Sequence, residues 1–474
     1  KDIYVSINKL CDETWWFRNF KQLRATTIES ISRDLGAINK KKSLYCSKFA
    51  SQNKVFQDNF NQVFLEHKKL KNSSGQTFSV AELSAKSVSN PEIRRAELMV
   101  RIRGFEEVAE LQGYRSDFIT FTTPSRMHSY LSSGHKNPKW DNTQPKEANE
   151  YLCYQWQKIR SEFHKKDIRI FGFRVAEPHH DGTPHHHYLL FSRPKDKDVI
   201  QSTFSRYALQ DSPDEKGAKQ HRLKFEEIDK SKGGATSYIA KYISKAIDGY
   251  GLEKDLHNNN AQDSAHKIRT WAGLWGIRQF QQIGGPAVSV WRQLRRLDES
   301  LKPLVGDALR AADSSNWAAF VLAMGGPTVK RKDAPISPEY GFRDSVDTET
   351  GEIIKTRHNK YGEQVRPSIS GIYLKDRDFS IPTKNLRWHE TRRLMALESI
   401  ERSSSPKDDG WSMGSSVYLS KAKQLFTDFK YGLLNSGNSL SEALARPRAY
   451  ADDNGSSLQC AIRGADAHAD LGLV

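Results

Sequence analysis

Residues 177–191 read EPHHDGTPHHHYLLF. A turn signal, Asp181-Gly182, precedes a run that alternates with the period of a β-strand. His185, His187, Leu189 and Phe191 then share one face, and His186, Tyr188 and Leu190 the other. Two imidazoles at i and i+2 project side by side from one sheet surface. Imidazole suits a divalent cation, and a nearby carboxylate suits one that must also meet phosphate oxygens. The run is internal and leads into an apolar segment, which argues against a histidine tag. The plainer alternative is a histidine-rich edge strand.

Strand parity decides where the carboxylate falls. Glu177 lies eight residues before His185, across the turn. A two-residue turn at Asp181-Gly182 pairs Glu177 with His186, on the wrong face. A loop with an odd number of residues sets it opposite His185 or His187. Pro178 and Pro184 flank the turn and cannot donate ladder hydrogen bonds, which favours the longer loop. Glu177 is the expected third ligand beside His185 and His187, with His179 and His180 as rivals.

A second run, GGATSYIAKYISK at residues 233–245, reads as a helix ending near Asp248-Gly249, with Thr236 or Ser237 as its N-cap. Tyr238, Lys241, Tyr242 and Lys245 form one stripe, and Ile239, Ile243, Ala246 and Ile247 another. The aliphatic stripe supplies a face to bury, which frees the tyrosine–lysine stripe to line a cleft. The bland alternative is an amphipathic surface helix with tyrosines at the edge of the core. The chemistry that needs both runs is phosphodiester transfer to tyrosine. A phenol of pKa near 10 is a poor nucleophile at neutral pH unless a cation stabilises the phenolate. A lysine one turn away can do so, and so can a metal at the phosphate.

The remaining chain frames these two runs. Its 73 Lys+Arg against 57 Asp+Glu give a formal charge of +16, a field that favours polyanions such as nucleic acid. The four cysteines (Cys11, Cys46, Cys153, Cys460) lack CxxC spacing, so neither a zinc ribbon nor a disulfide framework is indicated. No apolar run reaches membrane-spanning length and no signal peptide is evident. No GxxxxGK[ST] supports an ATP-driven motor.

Periodicity makes residues 1–110 a helical N-terminal region. A strand is expected at 117–123, a helix at 147–165, a second strand at 168–175, then the histidine hairpin and the tyrosine helix. That order indicates an α+β fold, an antiparallel sheet covered by helices. Trp271, Trp275, Phe280 and Trp291 are expected in a helical region, as core. Residues 325–340 read as a polar linker, the stretch to Trp388 as short strands, and residues 388–402 as helix. Lys40-Lys41-Lys42 reads as a solvated loop.

With these residues in view the chain resembles the replication gene A proteins of peduovirus-type temperate phages, within the HUH endonuclease superfamily of rolling-circle initiators. His185-His186-His187 fits the histidine–bulky–histidine motif, whose middle position is more often apolar or aromatic. Glu177 fits the upstream carboxylate ligand. Phe118-Ile119-Thr120-Phe121-Thr122 looks like the first superfamily motif. Tyr238 and Tyr242 match the paired nucleophiles, with Lys241 and Lys245 in the accompanying lysine positions. Leu10-Cys11-Asp12 with Trp15-Trp16, Val88-Ser89-Asn90-Pro91, Arg101-Ile102-Arg103-Gly104-Phe105-Glu106 and the segment from Trp275 to Phe280 also look familial.

The resemblance implies an HUH endonuclease domain, residues 111–300, with a central five-stranded antiparallel sheet flanked by helices. It leaves a C-terminal accessory α/β region at 301–400 and a poorly defined tail at 401–474. It further implies nicking of one strand at single-stranded or melted origin DNA, with Mg²⁺ or Mn²⁺ as cofactor, a covalent 5′-phosphotyrosine and later rejoining. A host replicative helicase is the expected partner and the host cytoplasm the expected location. The alternatives are a relaxase- or transposase-type strand transferase, and a non-catalytic origin-binding protein with a structural metal.

Overall fold

The histidine run occupies the middle of a five-stranded antiparallel sheet. In spatial order the strands are Leu223–Glu227, Arg115–Thr122, Pro184–Ser192, Ile170–Pro178 and Phe280–Ile283. The computed structural model describes residues 2–390 apart from 229–232, 254–259, 298, 343–344, 347–352, 355–356 and 385–387. The expected tail at 401–474 and residues 391–402 of the expected last helix lie outside the described residues.

Helices cover both sheet faces, which is why the strands carry apolar residues on both sides. On one face Phe118, Phe173, Leu189 and Phe191 pack against Ile102, Phe105 and Val108 of the helix Pro91–Leu111. The same cluster takes in Ile239, Ile243 and Ile247 of the tyrosine helix, Gly234–Ile247. On the other, Ile119, Phe121, Tyr188 and Leu190 meet Leu152, Trp156, Ile159 and Phe163 of the helix Pro145–Lys165, with Ile200 and Phe204 of Lys197–Ala208. The aliphatic stripe of the tyrosine helix is thus its buried face, as its spacing requires.

Ahead of the sheet lie the helices Asp2–Leu10, Glu13–Asp34, Lys48–His67 and Val80–Ala85, with a short hairpin, Lys69–Asn72 and Thr77–Ser79. Asn90 caps Pro91–Leu111 through Glu92 N–H, with proline in the first turn. Lys40, Lys41 and Lys42 are exposed in a loop, as expected. Beyond the sheet, three short helices (Lys302–Val305, Asp307–Asp313, Trp317–Ala323) and a three-stranded sheet of Ile336–Gly341, Ser368–Leu374 and Phe379–Pro382 join the first core. No helix among the described residues is long and apolar enough to cross a membrane.

Three expectations fail for identifiable reasons. Phe280 begins the edge strand Phe280–Ile283 rather than continuing a helix, because Gly276, left-handed at φ 65°, ends the helix Ala261–Trp275. Trp271, Trp275 and Trp291 are core as expected. The polar linker hides the strand Ile336–Gly341, whose pairing with Ser368–Leu374 no local pattern announces. Trp388–Glu390 is a strand, pairing with Lys69–Asn72, and not the start of a helix.

Candidate metal centre and tyrosine helix

Register brings the three expected ligands together. Glu177 lies opposite His185, and Pro178 opposite Pro184, so the connecting loop spans residues 179–183, an odd number. The loop is pinned from outside. Asp181 accepts from Ser129 N–H (2.9 Å) and Thr183 N–H (3.0 Å), the buried Arg33 donates to Asp181 O (3.2 Å), and Trp271 Nε1 donates to Gly182 O (2.8 Å). A hairpin tip held by three separate segments outside it, through Arg33, Ser129 and Trp271, cannot slip register.

The ligand atoms of Glu177, His185 and His187 all lie within 4.8 Å of one another. Glu177 Oε2 is 3.5 Å from His187 Nε2 and 3.9 Å from His185 Nε2. Glu177 Oε1, His185 Nδ1 and His187 Nε2 are buried without a hydrogen-bond partner. Buried polar atoms are seldom left so, and a divalent cation satisfies such a set. His187 Nδ1 and the Thr120 hydroxyl are 3.0 Å apart; with Nδ1–H donating to that oxygen, Nε2 keeps its lone pair toward Glu177. Burial, then His179 and His187, hold the His185 imidazole well below its usual pKa, so it is neutral and able to ligate. For Glu177, burial pushes the carboxyl up, but Lys245 and His187 outweigh it and leave the group lowered, hence ionised.

The rival ligands are not part of this three-residue group. The His179 ring lies tilted at 4.1 Å from that of His185 and edge-on at 4.9 Å from that of His128, outside the three-residue cluster, and burial lowers its pKa to about 3. His180 is not among the clustered ligands either.

Tyr242 rests on this centre. Its ring lies 4.3 Å from that of His187 and stacks on Phe118 at 5.1 Å. Tyr238, one turn earlier, stands 6.4 Å from Phe118. Burial, then the carboxylates of Glu177 and Glu226, push the Tyr242 phenol above its ordinary pKa. The two lysines have different surroundings. Lys241 is exposed, its ammonium 5.2 Å from the Tyr242 ring, whereas Lys245 is buried with Nζ 3.3 Å from Glu177 Oε2. Neither Thr236 nor Ser237 caps this helix; Gly233 is its N-cap and Glu106 accepts from its first turn.

Sequence reading placed Phe118 and Thr120 in the first superfamily motif without assigning either side chain a contact, and gave Glu106 no role at the site. The first two were within reach, since strand parity puts Phe118, Thr120 and Thr122 on one face. Glu106 was not, because nothing in a sequence links it to residues 235 and 236.

The fold and site define a class: an α+β protein whose five-stranded antiparallel sheet presents two histidines and a carboxylate beneath a helix with two tyrosines. Residues 1–250 match the family described as bacteriophage replication gene A protein (GPA), and the chain belongs to that family. It is 42% identical over 420 residues to the probable replication protein P12 of Pseudoalteromonas phage PM2, covering 84% of this chain and 65% of that protein. It is 37% identical to the replication gene A protein of Escherichia phage 186, covering 78% of this chain and 53% of that one. It is 33% identical to a probable replication endonuclease from a prophage-like region of Salmonella paratyphi A, covering 83% and 50%. The chain thus spans between half and two thirds of the length of these relatives. No solved structure matches it.

Proposed function

We propose that this chain is a replication initiator that nicks one strand of DNA, its five-stranded sheet being an HUH endonuclease domain. The observation that carries the reading is the seat of Tyr242 at 4.3 Å from His187, whose Nε2 faces Glu177 with no other partner. Family membership and the relatives named as replication proteins and a probable replication endonuclease support it.

Glu177, His185 and His187 would hold Mg²⁺ or Mn²⁺, and such an ion would supply charge stabilisation at the scissile phosphate. Lys245 keeps Glu177 ionised, and Thr120 fixes the His187 tautomer. Lys241, its ammonium 5.2 Å from the Tyr242 ring, would offer positive charge to a phosphate bound there. The tyrosine oxygen forms a bond to phosphorus as the bond to the 3′ oxygen breaks. The phenolic proton is lost, the 3′ oxygen leaves as a hydroxyl, and the 5′ end remains on the enzyme as a phosphotyrosine. The ester exchange conserves the phosphodiester, so rejoining needs no nucleotide hydrolysis. The substrate is single-stranded or melted origin DNA, because an in-line approach requires an exposed backbone, and a host helicase unwinds the duplex. The work takes place in the bacterial cytoplasm.

Tyr238 and Tyr242, at i and i+4, serve one phosphate in turn. The test is nicking of a supercoiled origin plasmid with Mg²⁺ or Mn²⁺, with mapping of the phosphotyrosine peptide. Tyr238→Phe and Tyr242→Phe should each retain some oligonucleotide cleavage, the double variant none, and neither single variant should sustain repeated rounds on a circle. DNA binding without any metal-dependent nick would favour the non-catalytic origin-binding alternative. Adducts only ever at one position, with multi-round replication intact when the other is Phe, would end the alternating scheme.

A further inference from the structure

The helix that carries both tyrosines has no cap of its own. Its N-cap is Gly233, at φ 103° and without a side chain, and Gly234 follows at φ 69°. A helix begins with N–H groups that no carbonyl within it accepts. Here the N–H groups of Ala235 and Thr236 donate to the carboxylate of Glu106, the second at 3.1 Å, and the Thr236 hydroxyl donates to it too. Glu106 belongs to another element, Pro91–Leu111, about 130 residues away in sequence. A negative charge at this end also opposes the helix dipole favourably. Glycine at 234 permits the approach, since a Cβ there would collide with the Glu106 carboxylate and would sit on a left-handed backbone.

The opposite end is held differently. Lys245 binds Glu177 at 3.3 Å, and Asp248, the C-cap, binds Arg95 at 2.5 Å. Tyr242 is three residues from Lys245 and in contact with His187; Tyr238 is two residues from Thr236 and stands off from the centre.

We propose that Glu106 is a positioning residue for Tyr238. Its carboxylate fixes the first turn and so places the Tyr238 phenol, while the Lys245 and Asp248 contacts place Tyr242. This rests on the reading of both tyrosines as nucleophiles and adds that separate anchors position them.

The first measurement is hydrogen exchange on the full chain. In Glu106→Gln the amides of residues 235 and 236 should exchange at least about tenfold faster, and those of residues 243–247 should not change. Unchanged protection at 235 and 236, or uniform acceleration along the helix, overturns the anchor. The second is single-turnover adduct formation at saturating oligonucleotide. In a Tyr242→Phe background, where only Tyr238 can react, Glu106→Gln should cost on the order of a hundredfold in rate, the scale of an ångström-level misplacement. In a Tyr238→Phe background the loss should stay below about fivefold by the same argument, with DNA affinity unaltered in both. Equal losses in the two backgrounds overturn the proposal. Thr236→Val, which leaves the carboxylate in place, should act in the same direction and less strongly, and it stands in if Glu106→Gln fails to fold. Absence of any adduct from either tyrosine with Glu106 intact would remove the nucleophile reading, and the exchange pattern separates that failure from failure of the anchor.

Discussion

His186 and His187 are neighbours in the chain and almost equally buried, at 0% and 4% exposure, yet their chemistry is opposite. His186 has both ring nitrogens engaged: Nε2 donates to Asn149 Oδ1 at 2.9 Å, and Nδ1 accepts from the Tyr188 hydroxyl at 3.2 Å. His187 has one nitrogen with Thr120, and the other points at a carboxylate with no hydrogen-bond partner. Burial therefore does not tell a structural histidine from a ligand. What does is the count of nitrogens left over and what they face. A one-residue step along a strand changes the face, and with it the role.

The strongest way to break this contrast is to delete each imidazole in turn. His185→Ala and His187→Ala should reduce nicking by more than about a thousandfold, beyond the roughly 10–100-fold that losing a supporting residue around a metal costs. Calorimetric titration with Mn²⁺ should show the matching loss of affinity. DNA binding should persist, weakening with salt as in the parent, because phosphate contacts dominate it. If both variants nick normally at limiting metal, His187 is no different in kind from His186.

Lys245 sharpens the contrast from the other side. Its ammonium is the partner of the otherwise buried Glu177, so Lys245→Met leaves a carboxylate without its cation. Breaking such a pair costs about 3–5 kcal/mol, and denaturant melts of the metal-free protein should show a loss near the lower figure. Much of it should return when Mn²⁺ is added, since the metal then supplies the missing positive charge to the same oxygens. A loss that metal does not reverse would mean that Lys245 stabilises the fold and not the ligand.

How much of this was legible depends on the range of the interactions. The ligand face followed from alternation over seven residues, and the proline-flanked turn gave the odd loop that pairs Glu177 with His185. The buried stripe of the tyrosine helix followed from 3.6-residue spacing. What stayed hidden is non-local. The edge strand at Phe280 and the strand at Ile336 are short, and partners distant in sequence define them. The cap of the tyrosine helix is a glutamate on another helix, and two glycines give no cue beyond flexibility. Alternation puts His186 on the face opposite the ligands. It does lie there, but there it enters a second core, because helices cover the sheet on both sides.

That second core turns the His186→Leu substitution into the finest test of the comparison. Leucine fills a similar volume but leaves Asn149 Oδ1 and the Tyr188 hydroxyl without their partner, at a cost of about 1–3 kcal/mol. Metal affinity should stay within about threefold, far from the effect of losing a ligand or its support. The pH dependence gives an independent reading. Burial, then Arg174, holds the His186 imidazole well below its ordinary value, as burial does for His179 and His185. A base whose folded pKa is depressed contributes stability in full above its unfolded value near 6.5. That contribution is lost as pH falls through the folded value, because the unfolded chain takes up a proton that the folded one refuses. The metal-free parent should therefore lose stability steadily as pH drops below about 6.5, with three such groups contributing. His186→Leu removes one of them, so as pH falls below about 6.5 its stability should fall less steeply than the parent's. Parallel acid limbs, measured by urea melts at each pH, would mean that His186 is protonated in the folded protein, with both ring nitrogens donating and Asn149 and Tyr188 as acceptors. The distinction between the two faces would then rest on charge as well as on free nitrogens.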